Sequence, residues 1–409
     1  MKKKNKIVVD KLMDEYEKII PKCPHFEKCG GCLFQNIDYK NQILLKEKLI
    51  ESLITKKTNK IFDNEIKKEF LEIIEGIDLK IKDSKKEFRY RTKIEMVCNN
   101  DQIGFREKNK FDSVVDIKDC YLFDEKTFKK FLEIKKDIIE SIKEFPFYDL
   151  KKHNGFLRYI IIRKGYQTDE DMITFVTNGY IENFWRIIDK SQKIFNQVSW
   201  LINTTYSDVA KGEEFFSSGN IKEKIGENIY SISNSSFFQS NSFVTKDIYD
   251  DIKHFSKGQV IDLFGGTSTI GLYVAKKDEV SEVLTVDILK ENIEIAQLNK
   301  EENKDSKVKL LLKDAKDFFR EEHQYDTLII DPPRTGLEKK LVKKILSKKI
   351  NRFIYMSCNF ATFLDDIEYI IIYRKEFLQD KKIKINFFKA YDMFPQTPHF
   401  ETLCVIDFI

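Results

Sequence analysis

The last third of the chain alternates short apolar segments with segments of helical spacing, and this pattern constrains the fold more than any other feature. We predict strands at residues 260–264, 283–287, 308–312, 327–331, 353–357, 383–388 and 403–408. Helices between consecutive strands require crossover connections, which give a mainly parallel sheet covered on both faces. The sequence therefore predicts an α/β domain over residues 233–409.

The region before this domain has a different pattern. Short β-branched or aromatic runs separated by polar turns predict strands at residues 92–97, 113–117, 159–163 and 171–177. We expect a mostly antiparallel, β-rich central domain over residues 76–232. Residues 39–54 have apolar positions at helical spacing and predict an amphipathic packing helix within an N-terminal segment, 1–75.

Composition excludes several classes of protein. The 409 residues are 42% hydrophobic and 34% charged, which is typical of a soluble globular protein. The chain has no run of eighteen apolar residues, and its lysine-rich start lacks the apolar stretch of a signal peptide. We therefore expect a cytoplasmic protein that does not enter a membrane.

Charge alone does not identify a partner, because a net charge of +4 is small for 409 residues. Basic and aromatic residues nevertheless interleave at 88–93, 104–106 and 157–163. On a sheet, arginines can hold phosphates while aromatic rings stack on bases. Alternating strands also produce such strings as ordinary sheet surface, and both interpretations stay open.

The cysteines predict a metal or cluster site. Cys23, Cys29 and Cys32 form a C-x5-C-x2-C motif that folds around two glycines, and Cys120 is the candidate for a fourth ligand. A four-cysteine zinc site usually consists of two C-x2-C pairs, so this spacing favours iron and sulfur. Cys98 and Cys404 lie in apolar stretches, where packing is the expected role.

The tips of the predicted parallel strands are where ligands are expected. After the first strand, residues 262–271 are rich in small residues, so that the backbone there can approach a ligand, and the N-terminus of the following helix offers free amide groups. Asp287, at the second tip, could accept hydrogen bonds from both ribose hydroxyls of an adenosine. Asp314, at the third, could reach the adenine or cap the following helix. No phosphate-binding lysine motif follows, which favours an adenosine cofactor without a triphosphate; a nicotinamide dinucleotide remains possible.

Two further tips carry reactive groups. Consecutive prolines in Asp331–Arg334 stiffen a turn that holds the Asp331 carboxylate toward a flat substrate. Cys358 follows the next strand, which places a thiol beside the cofactor site. A thiolate can add to carbon 6 of a uracil ring and make carbon 5 nucleophilic enough to accept a methyl group.

Several motifs in order give the chain a resemblance to a known family. They are Cys29-Gly-Gly-Cys32, Tyr90-Arg-Thr-Lys93, Phe237-Phe-Gln-Ser-Asn241, Asp262-Leu-Phe264, Asp331-Pro-Pro-Arg334, Ser357-Cys-Asn359 and Phe394-Pro-Gln-Thr-Pro-His-Phe-Glu401. Together they resemble the S-adenosylmethionine-dependent RNA uracil-5-methyltransferases, in particular the iron–sulfur branch that acts on 23S ribosomal RNA. The resemblance implies a Rossmann-like catalytic domain, a β-rich central domain that contacts RNA, and an N-terminal segment with a 4Fe-4S cluster.

The resemblance also implies roles for single residues. Cys358 would be the nucleophile and Glu401 the general base. S-adenosylmethionine would be bound by Gln239, Phe264, Asp287 and Asp331, and the cluster by Cys23, Cys29, Cys32 and Cys120. We add Gly266 and Asp314, which lie at strand tips, to the predicted cofactor site. The chain departs from the family at Gly265, Ser268 and Asp287, where cysteine, glycine and glutamate are common.

The expected partner is 23S ribosomal RNA as substrate, and we expect a monomer with no obligate protein partner. Two other functions stay open: methylation of a uridine in transfer RNA, and a non-catalytic iron–sulfur protein that binds RNA.

Overall fold

The computed structural model describes residues 3–320, 325–348 and 350–409. These residues divide into two compact units. The first unit comprises Tyr39–Lys85, Phe243–Ile409 and the described part of Met1–Glu17, and the second unit comprises Lys18–Asp38 and Lys86–Ser242. The N-terminal 75 residues thus contribute to both units, and the three-part division made from the sequence stays a prediction.

The strands and helices of the described residues follow one another along the chain. The strands are β1 (Ile81–Lys82), β2 (Lys93–Asn99), β3 (Gln102–Arg106), β4 (Val114–Asp116), β5 (Leu157–Lys164), β6 (Asp171–Thr177), β7 (Gln197–Ile202), β8 (Glu213–Ser217), β9 (Ile221–Ile225), β10 (Asn228–Ile232), β11 (Gly258–Leu263), β12 (Val280–Asp287), β13 (Val308–Leu312), β14 (Thr327–Ile330), β15 (Arg352–Ser357), β16 (Ile383–Tyr391) and β17 (Glu401–Phe408). The helices are α1 (Lys3–Met13), α2 (Tyr39–Thr58), α3 (Asn64–Glu75), α4 (Glu125–Glu140), α5 (Trp185–Gln192), α6 (Ser242–Phe255), α7 (Thr269–Ala275), α8 (Lys290–Glu302), α9 (Ala315–Phe318), α10 (Lys339–Ser347) and α11 (Phe360–Phe377), and a 3₁₀ turn spans Glu182–Phe184.

The sheet of the first unit has the order β1-β16-β17-β15-β14-β11-β12-β13. Strands β11 to β15 run parallel to one another, and β17 is antiparallel to both of its neighbours. The strands β14 and β15 are apolar along almost their whole length because both of their faces are buried. This confirms the predicted α/β sheet, although β16 continues three residues beyond the predicted end.

The chain order reverses between β11 and β14, which lie side by side in the sheet. Connections leave neighbouring strands toward opposite faces at such a point, and a crevice opens at the carboxyl ends of the strands. The loops after β11, β14 and β15 therefore meet at one edge of the first unit.

The second unit is built on a sheet of order β4-β3-β2-β5-β6-β7-β8, with a separate β9–β10 hairpin. Its pairs are antiparallel apart from β6 and β7, which are parallel because the 3₁₀ turn and α5 form a crossover between them. All residues of β5 and β6 are buried. The predicted, mostly antiparallel β-rich region is confirmed.

Helix α2 is four residues longer than predicted. It buries Leu45, Leu49 and Ile50, which confirms its packing role, and Lys46 forms an ion pair with Asp392 at 2.5 Å, both side chains being fully buried. Such a pair fixes the helix because removing one partner would leave a buried charge uncompensated. Across the described residues, no helix combines the length and the apolar character needed to cross a membrane.

Candidate active site

Three candidate residues meet at one edge of the first unit's sheet. Asp331 directly follows β14, Cys358 directly follows β15, and Glu401 is the first residue of β17. Because β14 and β15 are parallel and β17 is antiparallel to β15, the carboxyl ends of the first two strands adjoin the beginning of the third. The sheet register therefore gathers residues that lie 27 to 70 positions apart in the sequence.

A cavity of about 400 Å³ opens beside Cys358. Its lining includes Arg334 and His399, and Phe360 and Phe400 give it apolar surface. Polar and aromatic lining residues together suit a planar ring with polar edges. The aromatic walls contact the faces of the ring, and the few polar groups fix its orientation.

The surroundings of Cys358 determine its protonation. Burial raises the pKa of the thiol to about 11, and the neighbouring carboxylates of Glu401 and Asp331 contribute to the increase. Arg334 opposes them with its charge and with a hydrogen bond to the sulfur. The thiol is therefore protonated at neutral pH, and a nucleophilic attack requires a nearby proton acceptor.

Glu401 is such an acceptor. Its side chain is buried, and burial, together with the charge of Asp331, raises its pKa well above the ordinary value, while Arg334 lowers it. A carboxylate with a raised pKa binds a proton more strongly and is a better general base near neutral pH.

The turn that carries Arg334 is fixed by hydrogen bonds to α11 and the loop before it. The Arg334 carbonyl oxygen accepts hydrogen bonds from Asn359 Nδ2 at 2.9 Å and Thr362 Oγ1 at 3.4 Å. Asp366 Oδ2 accepts from the Leu337 backbone N–H at 2.9 Å and from the Tyr355 hydroxyl at 2.6 Å. Asp366 thereby ties the segment after the Asp331–Arg334 turn to β15, which ends directly before Cys358.

Gly336 permits this close approach. Its φ of +76° lies in the left-handed region, and a Cβ there would come within 2.6 Å of Asp366 Oδ2. Burial raises the pKa of Asp366 to about 6, against the hydrogen bonds from Tyr355 and Leu337. Sequence reasoning did not select Asp366, because its role depends on contacts 11 and 29 residues away.

The loop after β11 forms the predicted glycine-rich turn. Phe264 and Gly266 both have positive φ values, +60° and +54°. The backbone N–H of Gly266 donates to Asp287 Oδ2 at 3.0 Å, while the Leu289 N–H and the Asn292 amide donate to Oδ1. The structure thus brings Phe264, Gly266 and Asp287 together at the tips of β11 and β12.

Two departures from the family pattern have a common structural reason. A Cβ at Gly265 would lie 2.5 Å from Thr285 Cγ2 and 2.6 Å from Asp262 Oδ2, so a larger residue would not fit without a shift. Ser268 is buried and its hydroxyl is hydrogen-bonded to Thr285 Oγ1 at 2.7 Å. Thr285 therefore restricts Gly265 and supplies a partner for Ser268.

Asp262 is a candidate that sequence reasoning quoted in a motif but did not assign to the site. It is fully buried, accepts a hydrogen bond from the Gly271 N–H at 3.0 Å, and its Oδ1 has no hydrogen-bond partner among the described residues. Burial raises its pKa to about 7, and the charges of Asp331 and Asp287 contribute. Its position directly before the glycine-rich turn could have identified Asp262 from the sequence.

The two remaining cofactor candidates have different positions. Asp314 caps α9, because its carboxylate accepts a hydrogen bond from the Lys316 N–H at 2.7 Å; this supports the capping alternative, and the adenine contact stays a prediction. Gln239 belongs to the second unit, where it is buried and its backbone carbonyl accepts a hydrogen bond from Thr92 Oγ1. Its contact with the cofactor also stays a prediction.

The four cluster candidates lie in the second unit and influence one another electrostatically. Burial raises the pKa of all four thiols, with further increases in Cys32 from Cys29 and Cys23, and in Cys120 from Cys32 and Cys29. Arg91 opposes this in Cys29, Cys32 and Cys120. Its Nε is buried with no hydrogen-bond partner in the described part of the chain.

This donor set fits an iron–sulfur cluster chemically, since thiolates bind iron and a buried cation compensates their charge. The positions of the four thiols fit a cluster less well than their chemistry does. Within residues 3–320, 325–348 and 350–409, no three His, Cys, Asp or Glu side chains are placed so that they could hold a metal ion. The fold thus brings the four thiols into one neighbourhood without forming a ligand geometry.

Most of the interleaved arginines are engaged within the protein. Arg158 donates to the backbone carbonyls of Asn203, Thr205 and Ser207, and Arg163 to those of Asn234 and Ser236, both arginines being buried. Arg89 and Arg106 form ion pairs with Asp119 and Asp208. These arginines stabilise loops of the second unit, which argues against the first of the two interpretations, in which they hold RNA phosphates.

The fold and the tips of β11, β12 and β14 define the class of the protein. It is a methyltransferase of the α/β type that uses S-adenosylmethionine, with an additional β-rich domain. The family model described as tRNA (uracil-5-)-methyltransferase matches residues 55–407. The chain belongs to this family and is an RNA uracil-C5 methyltransferase.

Individual relatives support this assignment. The tRNA (uracil(54)-C(5))-methyltransferase of Pyrococcus furiosus is 35% identical over 384 residues, which cover 93% of this chain and 83% of the relative. The 23S rRNA (uracil(747)-C(5))-methyltransferase of Pyrococcus horikoshii is 30% identical over 397 residues, 96% of this chain and 87% of the relative. The crystal structure of Pyrococcus abyssi tRNA (uracil-54, C5)-methyltransferase in complex with S-adenosyl-L-homocysteine superposes with a TM-score of 0.74 at 29% identity, covering 93% of this chain and 85% of that one.

Proposed function

We propose that Cys358 is the nucleophile and Glu401 the general base in the methylation of carbon 5 of a uridine. The observation that carries this proposal is the convergence of Cys358, Glu401, Asp331 and Arg334 at one edge of the sheet, beside a cavity of about 400 Å³. The target uridine must leave its stack to enter such a cavity, because neighbouring bases cover carbon 6.

The proposed order of steps starts from a protonated Cys358 thiol with a carboxylate beside it. A neighbouring carboxylate accepts the proton of the Cys358 thiol and releases it to solvent, so that the carboxylate is ionised again, and Arg334 stabilises the thiolate. The sulfur adds to carbon 6, which places electron density on carbon 5. Carbon 5 takes the methyl group of S-adenosylmethionine, the methyl–sulfur bond breaks, and the sulfonium leaves as the neutral thioether S-adenosylhomocysteine. Glu401 then removes the proton that remains on carbon 5, and the carbon 6–sulfur bond breaks to release the thiolate.

We propose that Phe264, Gly266, Asp287 and Asp331 hold the methyl donor at the tips of β11, β12 and β14. The positive φ values at Phe264 and Gly266 keep the turn open, and Asp287 is oriented by three donors. Gln239 completes the proposed set on the resemblance alone, and Asp314 on its position at the tip of β13.

We propose a uridine of transfer RNA as the substrate, because the relatives of higher identity carry that name, at 32% to 35%. A uridine of 23S ribosomal RNA, which the sequence resemblance favours, is the second candidate, since the relative named for it is 30% identical across 96% of the chain. The two targets receive comparable support.

The test uses purified protein, labelled S-adenosylmethionine, and two unmodified transcripts: a transfer RNA and a 23S fragment. We expect label in 5-methyluridine of the transfer RNA at one position. Methylation of the 23S fragment alone would replace the first candidate by the second. Equal methylation by wild type and Cys358→Ala would overturn the mechanism.

We further propose that Cys23, Cys29, Cys32 and Cys120 bind a 4Fe-4S cluster, supported by their common neighbourhood and the buried Arg91 charge. Anaerobically purified protein should contain about four iron atoms and absorb in the visible range. Cys120→Ser should lose both properties, whereas Cys98→Ser should keep them. Iron-free, colourless protein from anaerobic cells would overturn this assignment.

A further inference from the structure

Helix α2 carries two polar side chains that are buried within the first unit. Gln42 is buried and Lys46 is fully buried, beside the apolar residues that pack the helix. Packing alone does not require them, because apolar side chains would fill the same space without the cost of burying an amide and an ammonium group. Both side chains bind the loop of residues 392–400, which joins β16 to β17.

The contacts with this loop reach its backbone. Lys46 Nζ forms its ion pair with Asp392 and also donates a hydrogen bond to the backbone carbonyl of Phe394 at 3.2 Å. Gln42 Oε1 accepts a hydrogen bond from the backbone N–H of Gln396 at 3.1 Å, and Gln42 Nε2 donates to the side-chain Oε1 of Gln396 at 2.9 Å. Because two of these bonds involve main-chain groups, they fix the course of the loop and not only its side chains.

The backbone of Gln396 depends on this support. Its φ of +68° lies in the left-handed region, which a residue with a Cβ adopts only at a cost. Gln396 is also buried, so that removing the Gln42 amide would take away partners that a buried N–H and a buried side-chain amide need. The hydrogen bonds with Gln42 thus stabilise a conformation that the loop backbone alone does not favour.

Hydrogen bonds continue from Phe394 toward the end of the loop. The Phe394 carbonyl also accepts from Thr397 Oγ1 at 2.8 Å, and Thr397 Oγ1 accepts from the backbone N–H of His399 at 3.3 Å. His399 lines the cavity beside Cys358. The carbonyl that Lys46 binds is therefore connected to the wall of this cavity.

The loop ends directly before Glu401. Tyr391, the last residue of β16, pairs with Glu401, the first residue of β17. Glu401 therefore has the sheet on one side of its Cα and the loop on the other, so the direction of its side chain depends on how the loop enters the strand. A displacement of about 1 Å at a reacting group can reduce a rate about 10²-fold.

We propose that Lys46 and Gln42 are positioning residues for Glu401: they hold the 392–400 loop in the conformation that places the Glu401 carboxylate beside Cys358. The inference rests on the proposed function, because that function makes Glu401 the general base. A network that only anchors α2 would contribute to stability without acting on any single step of the reaction.

The test removes the network without leaving a buried charge. Lys46→Met/Asp392→Asn removes both charges and keeps an acceptor for the Tyr39 hydroxyl, which donates to Asp392 Oδ2 at 2.9 Å. Gln42→Leu removes both hydrogen bonds with Gln396. We expect both variants to bind S-adenosylhomocysteine like the wild type and to form product about 10²-fold more slowly.

The step that slows identifies the role. With Glu401 displaced, Cys358 still adds to the uridine and the methyl group is still transferred, but the proton on carbon 5 is lost slowly. Methylated RNA should therefore accumulate in a denaturation-resistant complex with both variants, as expected for Glu401→Gln. A denaturing gel of reactions with labelled S-adenosylmethionine measures this complex.

Arg352→Met is the matched control. Arg352 also pairs with an aspartate, Asp407 at 2.6 Å, and also donates to a backbone carbonyl, that of Phe255 at 3.0 Å. It is the first residue of β15 and lies at the opposite end of that strand from Cys358. This variant should have a lower unfolding temperature, form product at the wild-type rate and accumulate no complex.

The positioning role is wrong if Lys46→Met/Asp392→Asn and Gln42→Leu form product at the wild-type rate, or form it slowly without accumulating the complex. The proposed function fails in a different way. A Glu401→Gln variant that forms no complex would overturn the proposed base and the positioning role together. A complex in Glu401→Gln that is missing in the other two variants would overturn the positioning role alone.

Discussion

The cavity beside Cys358 and the group of four cysteines in the second unit both contain half-buried thiols, but they differ in what surrounds the sulfur. Cys358 is a single thiol with two carboxylates and one arginine, and protein hydrogen bonds already fix the turn that carries this arginine. Cys23, Cys29, Cys32 and Cys120 lie in one neighbourhood, and the charge of Arg91 acts on three of them. The first arrangement supports the proposed reaction, and the second supports the proposed cluster.

The largest effect should come from removing the reactive thiol. Cys358→Ala is expected to reduce methyl transfer by on the order of 10⁴-fold or more, because the bond to carbon 6 cannot form without the sulfur. Single-turnover transfer of labelled methyl to RNA measures this loss. Cys98→Ala, in the core of the second unit, is the control and should retain activity; a comparable loss there would remove the distinction between the two kinds of thiol.

Removing the base should have a smaller effect and a specific signature. Glu401→Gln is expected to slow product formation by about 10²- to 10⁴-fold, because the proton on carbon 5 has no acceptor. Methylated RNA should then accumulate in a denaturation-resistant complex with the protein, visible on a denaturing gel. The same complex in Glu401→Gln/Cys358→Ala would contradict the assignment of the sulfur.

Asp366 allows a test of how far the catalytic turn is preformed. Its folded-state pKa of about 6 lies above the ordinary 3.8, so its contribution to stability is complete below about pH 4 and is lost as pH rises through 6. Compared with Asp366→Asn, the wild type should lose on the order of 3 kcal/mol of unfolding free energy between pH 4 and pH 7. Denaturant titrations at both pH values measure the difference, and parallel pH profiles would contradict it.

The smallest effect is expected at Cys98, whose predicted role is packing and not iron binding. Cys98 is fully buried in the core of the second unit, and Cys98→Ser should cost about 1–2 kcal/mol because a hydroxyl group replaces a sulfur there. Its iron content and visible absorption should equal those of the wild type. Loss of iron in Cys98→Ser would place this cysteine among the ligands.

The sequence predicted where the parallel strands end better than the contacts around the residues that follow them. Apolar runs of strand length located β11 to β15, and the residues directly after them, such as Asp331 and Cys358, followed without further assumptions. Glu401 and Gln239 came from the family resemblance, since neither lies after a strand of the parallel set. Asp366 was not found, because a carboxylate in an apolar helix becomes informative only when its partners Tyr355 and Leu337 are known.

The arginines that interleave with aromatic residues show the same limit of sequence patterns. A run of basic and aromatic residues on a strand left RNA contact and ordinary sheet surface equally open, but Arg158 and Arg163 are buried and bind carbonyl groups. Helix α2, in contrast, was assigned to packing, but its Gln42 and Lys46 bind the loop before Glu401. A local sequence pattern gives the residue types and their spacing, but it does not show which face of a strand or helix is covered by the rest of the chain.

The sequence by itself determined the α/β sheet, the β-rich region and the strand ends at which the reactive groups lie, because apolar periodicity and strand order depend on neighbouring residues. Only the tertiary structure decided that Arg334 opposes the carboxylates at Cys358, that Thr285 restricts the cofactor turn, and that Lys46 and Gln42 bind the loop before Glu401. Each of these depends on groups far apart in the chain, whose distance and burial are set by the register of the sheet and the packing of helices upon it.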